Sequence, residues 1–381
     1  MWKVWDGWIL FSFLALFLLG ETVIVSVNVV PRLVESYGNL SIYKKPLMQV
    51  AVFLFGFFLA TSLAKMDYRR FLNGAIPYLL AFISILSLLA VLIKKLLSGK
   101  AVDRWLLGSS LQPLEFVKIS LVLFLAFYIV KKGGLRQWKH FIWAFALSFF
   151  VAILLLLQPD RGGALFTLLI SLLMIYVGGV PKKVYFLILP ITLLFFLYAL
   201  TAKGYVAERF SAWKDPFLDP EDSGYQIIQS LYALARGGFL GVGLGQGLQK
   251  MGQLPASDTD YVIAIIGEEL GFLGVLTVIF LYTVLVLRLL WHSIKTQDPV
   301  GKLILFGTAM NFALSFFWNM AMVSNLIPPK GIALPFLSYG SSNLLASLIF
   351  LGIAQSVVNH KESTSLSFSR TSLGSILLRH A

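Results

Sequence analysis

Apolar residues run along this chain in long stretches separated by short polar connections. Runs of about 18 or more apolar residues read as membrane-spanning helices, because a helix satisfies its own backbone polar groups inside hydrocarbon. Ten stretches qualify, at about 8–30, 46–64, 73–93, 113–131, 141–158, 162–180, 184–201, 261–290, 302–323 and 335–357. The pattern predicts an all-α polytopic membrane protein: one ten-span domain over 1–357, then a Ser-rich tail, 358–381, expected to be mobile and cytoplasmic. One connection is long. Residues from about 201 to 260, between spans 7 and 8, are expected to form a large structured outer loop. Its Tyr205, Phe210, Trp213, Phe217, Ile227, Ile228 and Tyr232 supply apolar material to pack. Within it, Gln226 to Ala235 reads as a short helix, and "GGFLGVGLGQG" as a glycine-rich turn system.

Composition agrees: 58% of the 381 residues are hydrophobic and only 13% charged, where a soluble protein carries roughly a quarter. The formal net charge of +13 does not point to nucleic acid. Its basic residues sit in short clusters such as Arg69-Arg70, Lys131-Lys132 and Lys182-Lys183, at the span flanks that set orientation and meet anionic lipid headgroups. Their excess on one side predicts that both termini are cytoplasmic, although Lys94, Lys95, Lys100 and Arg104 on the outer side count against it. Cysteine is absent, which excludes disulfides and thiolate metal sites. The first apolar run outlasts a signal-peptide core and lacks a small-residue cleavage site, so it reads as the first span.

Against this background the acids matter. "LPASDTDYVIAIIGEELGFLG", Leu254 to Gly274, puts Asp258 and Asp260 at the mouth of a span and Glu268 and Glu269 inside it. On a straight helix Glu268 lies about 12 Å deeper than Asp260. An intramembrane acid is either part of a functional site or a link between helices, and the two aspartates either carry chemistry or cap the helix. "LQPLEFVKIS" puts Glu115 and Lys118 on one helix face, as a buried lock or as the polar wall of a cavity. Arg104 and Trp105 suit a phosphate and a lipid headgroup, and equally suit interfacial anchors. "QPDRGG" is a tight turn carrying Asp160 and Arg161. "LPFLSYGSS" is expected to begin the last span, with Ser338 and Ser342 available for hydrogen bonds across it. His140, His292, His360 and His380 do not cluster with the acids, and no zinc motif, nucleophile elbow or phosphate-cradling loop is present. Any chemistry must come from carboxylates, cations and backbone at the outer face.

"DRWLLG…LQPLEFVK", "QPDRGG", "SGYQIIQSLYALARGGFLGVGLGQGLQK", "LPASDTDYVIAIIGEELGFLG" and "IPPKGIALPFLSYGSS" occur in this order. Together they resemble the FtsW/RodA/SpoVE family of shape, elongation, division and sporulation proteins, and look closer to its division branch. The resemblance implies a bacterial cytoplasmic-membrane peptidoglycan glycosyltransferase that polymerises lipid II beside a class B penicillin-binding protein. The family's essential aspartate, in a Leu-Pro-Glu-x-His-Thr-Asp-Phe pattern, falls on Asp260. A Gln-Pro-Ser-Glu-x-x-Lys pattern falls on Gln112, Pro113, Glu115 and Lys118, and a Gly-Tyr-Gln…Gln-Ser pattern on Gly224, Tyr225, Gln226, Gln229 and Ser230. This chain departs from those patterns at Leu114, Ala256, Asp258, Tyr261 and Ser341, and has Ala101-Val102 where the family has Gly-Ala.

The implied site is Asp260 as catalytic base. Arg104, Trp105, Glu115, Lys118, Asp160, Arg209, Tyr225, Gln226, Gln229, Lys250, Ser338 and Ser342 are expected to meet substrate, with Asp258, Glu268 and Glu269 as candidate assistants. Glu268 and Glu269 fit packing around the loop better than chemistry. No cofactor is required by this reading, which leaves room for a divalent cation, Mg or Mn, at the leaving group. Two other classes stay open: a lipid II flippase using the intramembrane acids as a polar path, and a non-catalytic scaffold for the penicillin-binding protein.

Overall fold

In the computed structural model the chain is helical, and residues 4–32, 40–99, 104–106, 111–201, 205–222 and 224–360 are described. Ten long helices are α1 (Gly7–Asn28), α2 (Lys44–Lys65), α3 (Ile76–Ser98), α4 (Pro113–Lys131), α5 (Trp138–Leu157), α6 (Arg161–Val177), α7 (Lys182–Thr201), α10 (Val262–Lys295), α11 (Pro299–Val323) and α12 (Ser341–Asn359). Between α7 and α10 lie two shorter ones, α8 (Tyr205–Lys214) and α9 (Tyr225–Gly237). Among the described residues, eight helices are long and apolar enough to cross a membrane, while α6 is an apolar helix of 17 residues. The protein is a multi-pass membrane protein. Of the tail expected over 358–381, residues 358 and 359 end α12 and 361–381 lie outside the described residues.

Burial sets the arrangement. In α4 every residue from Val117 to Ile129 is buried, and it packs against α3, α5, α6, α11 and α12; a helix apolar all round belongs inside a bundle. In α3 only Pro77, Leu88 and Val91 are buried, so its remaining apolar surface is left to lipid. α2 packs on α12, α1 on α10 and α5 on α6. One end of the bundle is clasped by Asp6, which caps α1 and receives Arg288 at 2.8 Å and His292 at 2.9 Å from α10. Asn359 fastens the end of α12 to the Val4 and Ala64 carbonyls there, each at 2.9 Å.

Two elements differ from the sequence expectation. The last helix begins at Ser341 rather than near 335, because Phe336 takes φ 71° and Ser338 receives the Leu334 N–H at 2.8 Å, folding 334–340 into a turn. α10 is two helices meeting at Gly271, whose φ 67° and ψ −162° break the spiral. A glycine-rich segment fills the break. Val242 and Gly243 donate to the Glu268 and Glu269 carbonyls at 2.9 and 3.0 Å, and Phe272 and Leu273 donate to the Gly238 and Phe239 carbonyls at 2.9 and 3.3 Å. Non-helical backbone at this depth is tolerated because protein satisfies it. A Cβ on Gly271 would lie 2.3 Å from the Gly241 nitrogen, so no other residue fits.

Asp258 reaches Asn28 at 3.2 Å while Glu269 reaches Ser26 at 2.8 Å. Asp258 and Glu269 therefore both meet the last turn of α1.

Candidate active site

Asp260 closes a turn that enters the first piece of α10, and three consecutive carbonyls fix its backbone. The Asp258 carbonyl receives the Tyr339 N–H at 2.8 Å, the Thr259 carbonyl the Ser338 hydroxyl at 2.5 Å, and the Asp260 carbonyl the Asn319 Nδ2 at 2.8 Å. The half-buried Asp260 carboxylate lies directly over Gly331, where a Cβ would come within 1.8 Å of Oδ2.

Gly331 follows Lys330, and Lys330 reaches the second acid. Its Nζ lies 2.9 Å from Asp160 Oδ1, its stem crosses Gly162, and its carbonyl receives the Trp318 indole N–H at 3.1 Å. Asp160 caps α6 through the Gly163 N–H at 3.1 Å and has Arg104 at 3.9 Å. Arg104 also donates to the Pro159 carbonyl at 2.8 Å. Burial alone would raise the Asp160 carboxyl pKa, but Lys330 and Arg104 outweigh it and hold the group below its ordinary value. The 328–334 segment thus joins Asp160 to Asp260, with two cations beside it.

Glu115 and Lys118 form the next layer inward. They pair at 2.7 Å and are nearly inaccessible, with Lys118 also over the Phe166 ring. Asn343 donates to Glu115 and to the Ala333 carbonyl, each at 3.3 Å, and Ser342 receives the Gln112 N–H at 3.0 Å. This layer ties α4 to the start of α12 beneath the 328–334 segment.

The remaining acids are engaged elsewhere. Asp258 pairs with Lys45 at 2.6 Å. Glu269 pairs with Lys250 at 2.6 Å with neither side chain exposed, and also takes the Gly245 N–H at 3.1 Å. Glu268 receives the Leu248 N–H at 2.8 Å, the Gln249 N–H at 3.1 Å and Arg236 at 3.3 Å. Lys250, expected at the substrate, is consumed in this packing because the glycine-rich segment folds it inward against α1 and α10.

The other sequence candidates are spread around the site. Trp105 accepts from Lys94 through its carbonyl at 2.7 Å. Tyr225 donates to Gln253 at 3.3 Å, and Gln226 and Gln229 are half-buried on α9. The Arg209 side chain lies outside the described residues. An apolar cavity of about 260 Å³ lies between α9, α10 and α11, lined by Leu234, Ile263, Phe272, Val275, Met320 and Val323 among others. It lies off the acids and cations. Among the described residues no three His, Cys, Asp or Glu side chains gather to hold a metal.

Sequence reasoning missed Lys330, Gly331 and Asn319. Lys330 was within reach as the lone cation of "IPPKG", directly ahead of a motif already singled out. Asn319 carries no local signal, since it sits among apolar residues near the end of α11.

Among the described residues, ten long helices with a held carboxylate and two cations at one end of the bundle define a class of polytopic membrane proteins with a polar site where the spans begin. The FtsW/RodA/SpoVE family model, described as "Cell cycle protein", matches residues 7–363. The chain belongs to that family. A "Probable peptidoglycan glycosyltransferase FtsW" of Trichlorobacter lovleyi is 39% identical over 300 residues, covering 76% of this chain and 77% of the relative. A protein of the same description in Bacillus subtilis is 33% identical over 373 residues, covering 94% and 91%. In a solved structure described as "Structural coordination of polymerization and crosslinking by a peptidoglycan synthase complex", one chain superposes with TM-score 0.73 at 27% identity, covering 94% of this chain and 99% of that one. Thermus thermophilus rod shape determining protein RodA shares the fold, with TM-score 0.66 and 24% identity, covering 94% and 98%.

Proposed function

We propose that this protein is a peptidoglycan glycosyltransferase that joins the sugars of lipid II at the outer face of the cytoplasmic membrane, with Asp260 as general base. The observation that carries the reading is the Asp260 carboxylate itself, half-buried at the start of α10 on a backbone held through three successive carbonyls. Preorganised placement of this kind supports proton transfer at a defined point. Asp260 takes the proton of the acceptor 4-hydroxyl. That oxygen bonds to the donor anomeric carbon as the bond to the pyrophosphate oxygen breaks, and the lipid pyrophosphate leaves with the electron pair. The configuration inverts. One carboxylate suffices because pyrophosphate needs no general acid, unlike the two-acid scheme of glycoside hydrolysis.

Arg104 and Lys330 are the cations best suited to the leaving charge, since Lys118 is closed off by Glu115. A divalent cation, Mg or Mn, at the leaving group would draw its ligands chiefly from the phosphate oxygens, since no three described His, Cys, Asp or Glu side chains gather to hold one. Ten spans with both termini cytoplasmic place Asp260 outside, where the substrate sugars lie. The relatives named FtsW support the division branch, and a class B penicillin-binding protein is the partner this reading expects. The flippase reading draws less support, because Glu115 and Glu269 each pair with a buried lysine and buried Glu268 is taken up by the Leu248 and Gln249 N–H groups and by Arg236. The test is glycan formation by Asp260→Asn at normal expression: loss supports the base, and full activity removes it.

A further inference from the structure

We infer that Asn319 is a positioning residue for Asp260: one buried amide sets the gap between the base and the Lys330–Gly331 segment. The inference rests on the reading of Asp260 as the base.

Asn319 lies in the last full turn of α11 and is fully buried. Its Nδ2 donates to the Asp260 carbonyl at 2.8 Å and to the Ile332 carbonyl at 3.0 Å. Both of its donors are therefore used, one on each of two segments far apart in the chain. Its Oδ1 has no hydrogen-bond partner among the described residues. The side chain thus acts as a donor alone.

The residue type follows from that demand. Two carbonyl oxygens converge on one point with their negative ends together, and without a donor between them they repel and separate. A hydroxyl supplies one hydrogen and a carboxylate none, while a lysine would bring an unpaired charge into the core. A primary amide of this length supplies two donors without charge.

The geometry carries the effect to the carboxylate. Trp318, the preceding residue, holds the Lys330 carbonyl, and Asn319 holds that of Ile332. Gly331 is therefore pinned on both sides by the end of α11, and it is the surface against which the Asp260 carboxylate rests. Asp260 is pinned by the same amide. Releasing Asn319 lets both segments drift, and with them the spacing of Asp260 from Lys330.

The experiment compares purified full-length wild type with Asn319→Ala, Asn319→Asp, Asp260→Asn and a control, Trp213→Phe, in complex with the partner. Trp213 donates to the Asn325 carbonyl just beyond α11, so the control removes a hydrogen bond beside the same helix end. The readouts are kcat and KM for lipid II polymerisation, Tm, and hydrogen exchange across 256–262 and 328–334. Both Asn319 variants are expected to lose about 10- to 100-fold in kcat with KM within about threefold. Exchange is expected to quicken in both segments together, and Trp213→Phe is expected to keep its kcat. Wild-type kcat in Asn319→Ala, with Asp260→Asn inactive, overturns the positioning role and leaves the base assignment standing. A kcat loss that merely follows the folded fraction, matched by Trp213→Phe at equal Tm, also overturns it. An active Asp260→Asn instead overturns the base assignment, and the positioning role with it.

Discussion

The Asp260 carboxylate rests on the bare backbone of Gly331, so close that a Cβ at 331 would lie 1.8 Å from Oδ2. The base and the segment bearing Lys330 are thereby held in van der Waals contact by the lack of a side chain. Gly331→Ala must push the carboxylate away or move the whole 328–334 segment. A displacement near 1 Å at a reacting group costs about 100-fold in rate. The variant should fold, bind its partner and polymerise about 100-fold more slowly, as measured by single-turnover product formation. An unaffected rate would show that the contact does not place the base.

Lys330 and Asp160 separate stability from activity. Asp160 is almost wholly buried and Lys330 is its nearest cation, so Lys330→Met strands a carboxylate whose other cation, Arg104, lies 3.9 Å away. The expected loss is about 2–4 kcal/mol, read as a fall in Tm in detergent. Adding Asp160→Asn should recover most of that stability but not polymerisation, because the cation for the leaving pyrophosphate is still missing. Recovery of both would reduce Lys330 to a structural role.

Glu269 and Lys250 should behave in the opposite way. Their pair is fully enclosed, and Glu269→Gln leaves an uncompensated ammonium, destabilising by about 3–5 kcal/mol. The double variant Glu269→Gln, Lys250→Met should regain much of the Tm and polymerise at a rate near wild type. A rate as low as that of Asp260→Asn in a well-folded double variant would bring the pair into the chemistry.

The pH dependence of the clasp at the other end follows from Asp6. Burial raises its carboxyl pKa, but hydrogen bonds from His292 and Arg288 lower it further, to a net value well below the ordinary 3.8. A depressed carboxyl stabilises the fold fully above the unfolded value and loses that contribution only as pH falls through the folded one. Asp160 has the same sign. Between about pH 5 and 9 neither group should change Tm, and the loss belongs below about pH 4. Asp6→Asn should reproduce that loss at neutral pH, by about 1–3 kcal/mol, and flatten the acid limb of a Tm profile.

Much of this architecture was legible from apolar run length alone, because a membrane span must be long and uniformly apolar. Asp260 was legible as an acid at the mouth of a span. What escaped were long-range relationships. "GEELGFLG" reads as unbroken helix, and nothing local says that 238–243 will insert at Gly271 and satisfy the freed backbone groups. Sequence spacing names no distant partner, so nothing local says that Glu268 will take the Leu248 and Gln249 N–H groups or that Glu269 will reach Ser26. Lys250 read as a ligand for substrate because its acid partner, Glu269, is reached only through the fold. Asn319 is one polar residue in an apolar helix, and its meaning appears only when two distant carbonyls arrive beside it.

The most direct test of the central claim is polymerisation of purified lipid II by wild type and Asp260→Asn, each with a bound class B penicillin-binding protein that has no glycosyltransferase domain. The account predicts glycan polymer from wild type and none from Asp260→Asn, with equal partner binding and equal Tm. Polymer from both would remove Asp260 as the base, and polymer from neither with the partner confirmed bound would contradict the enzyme reading itself.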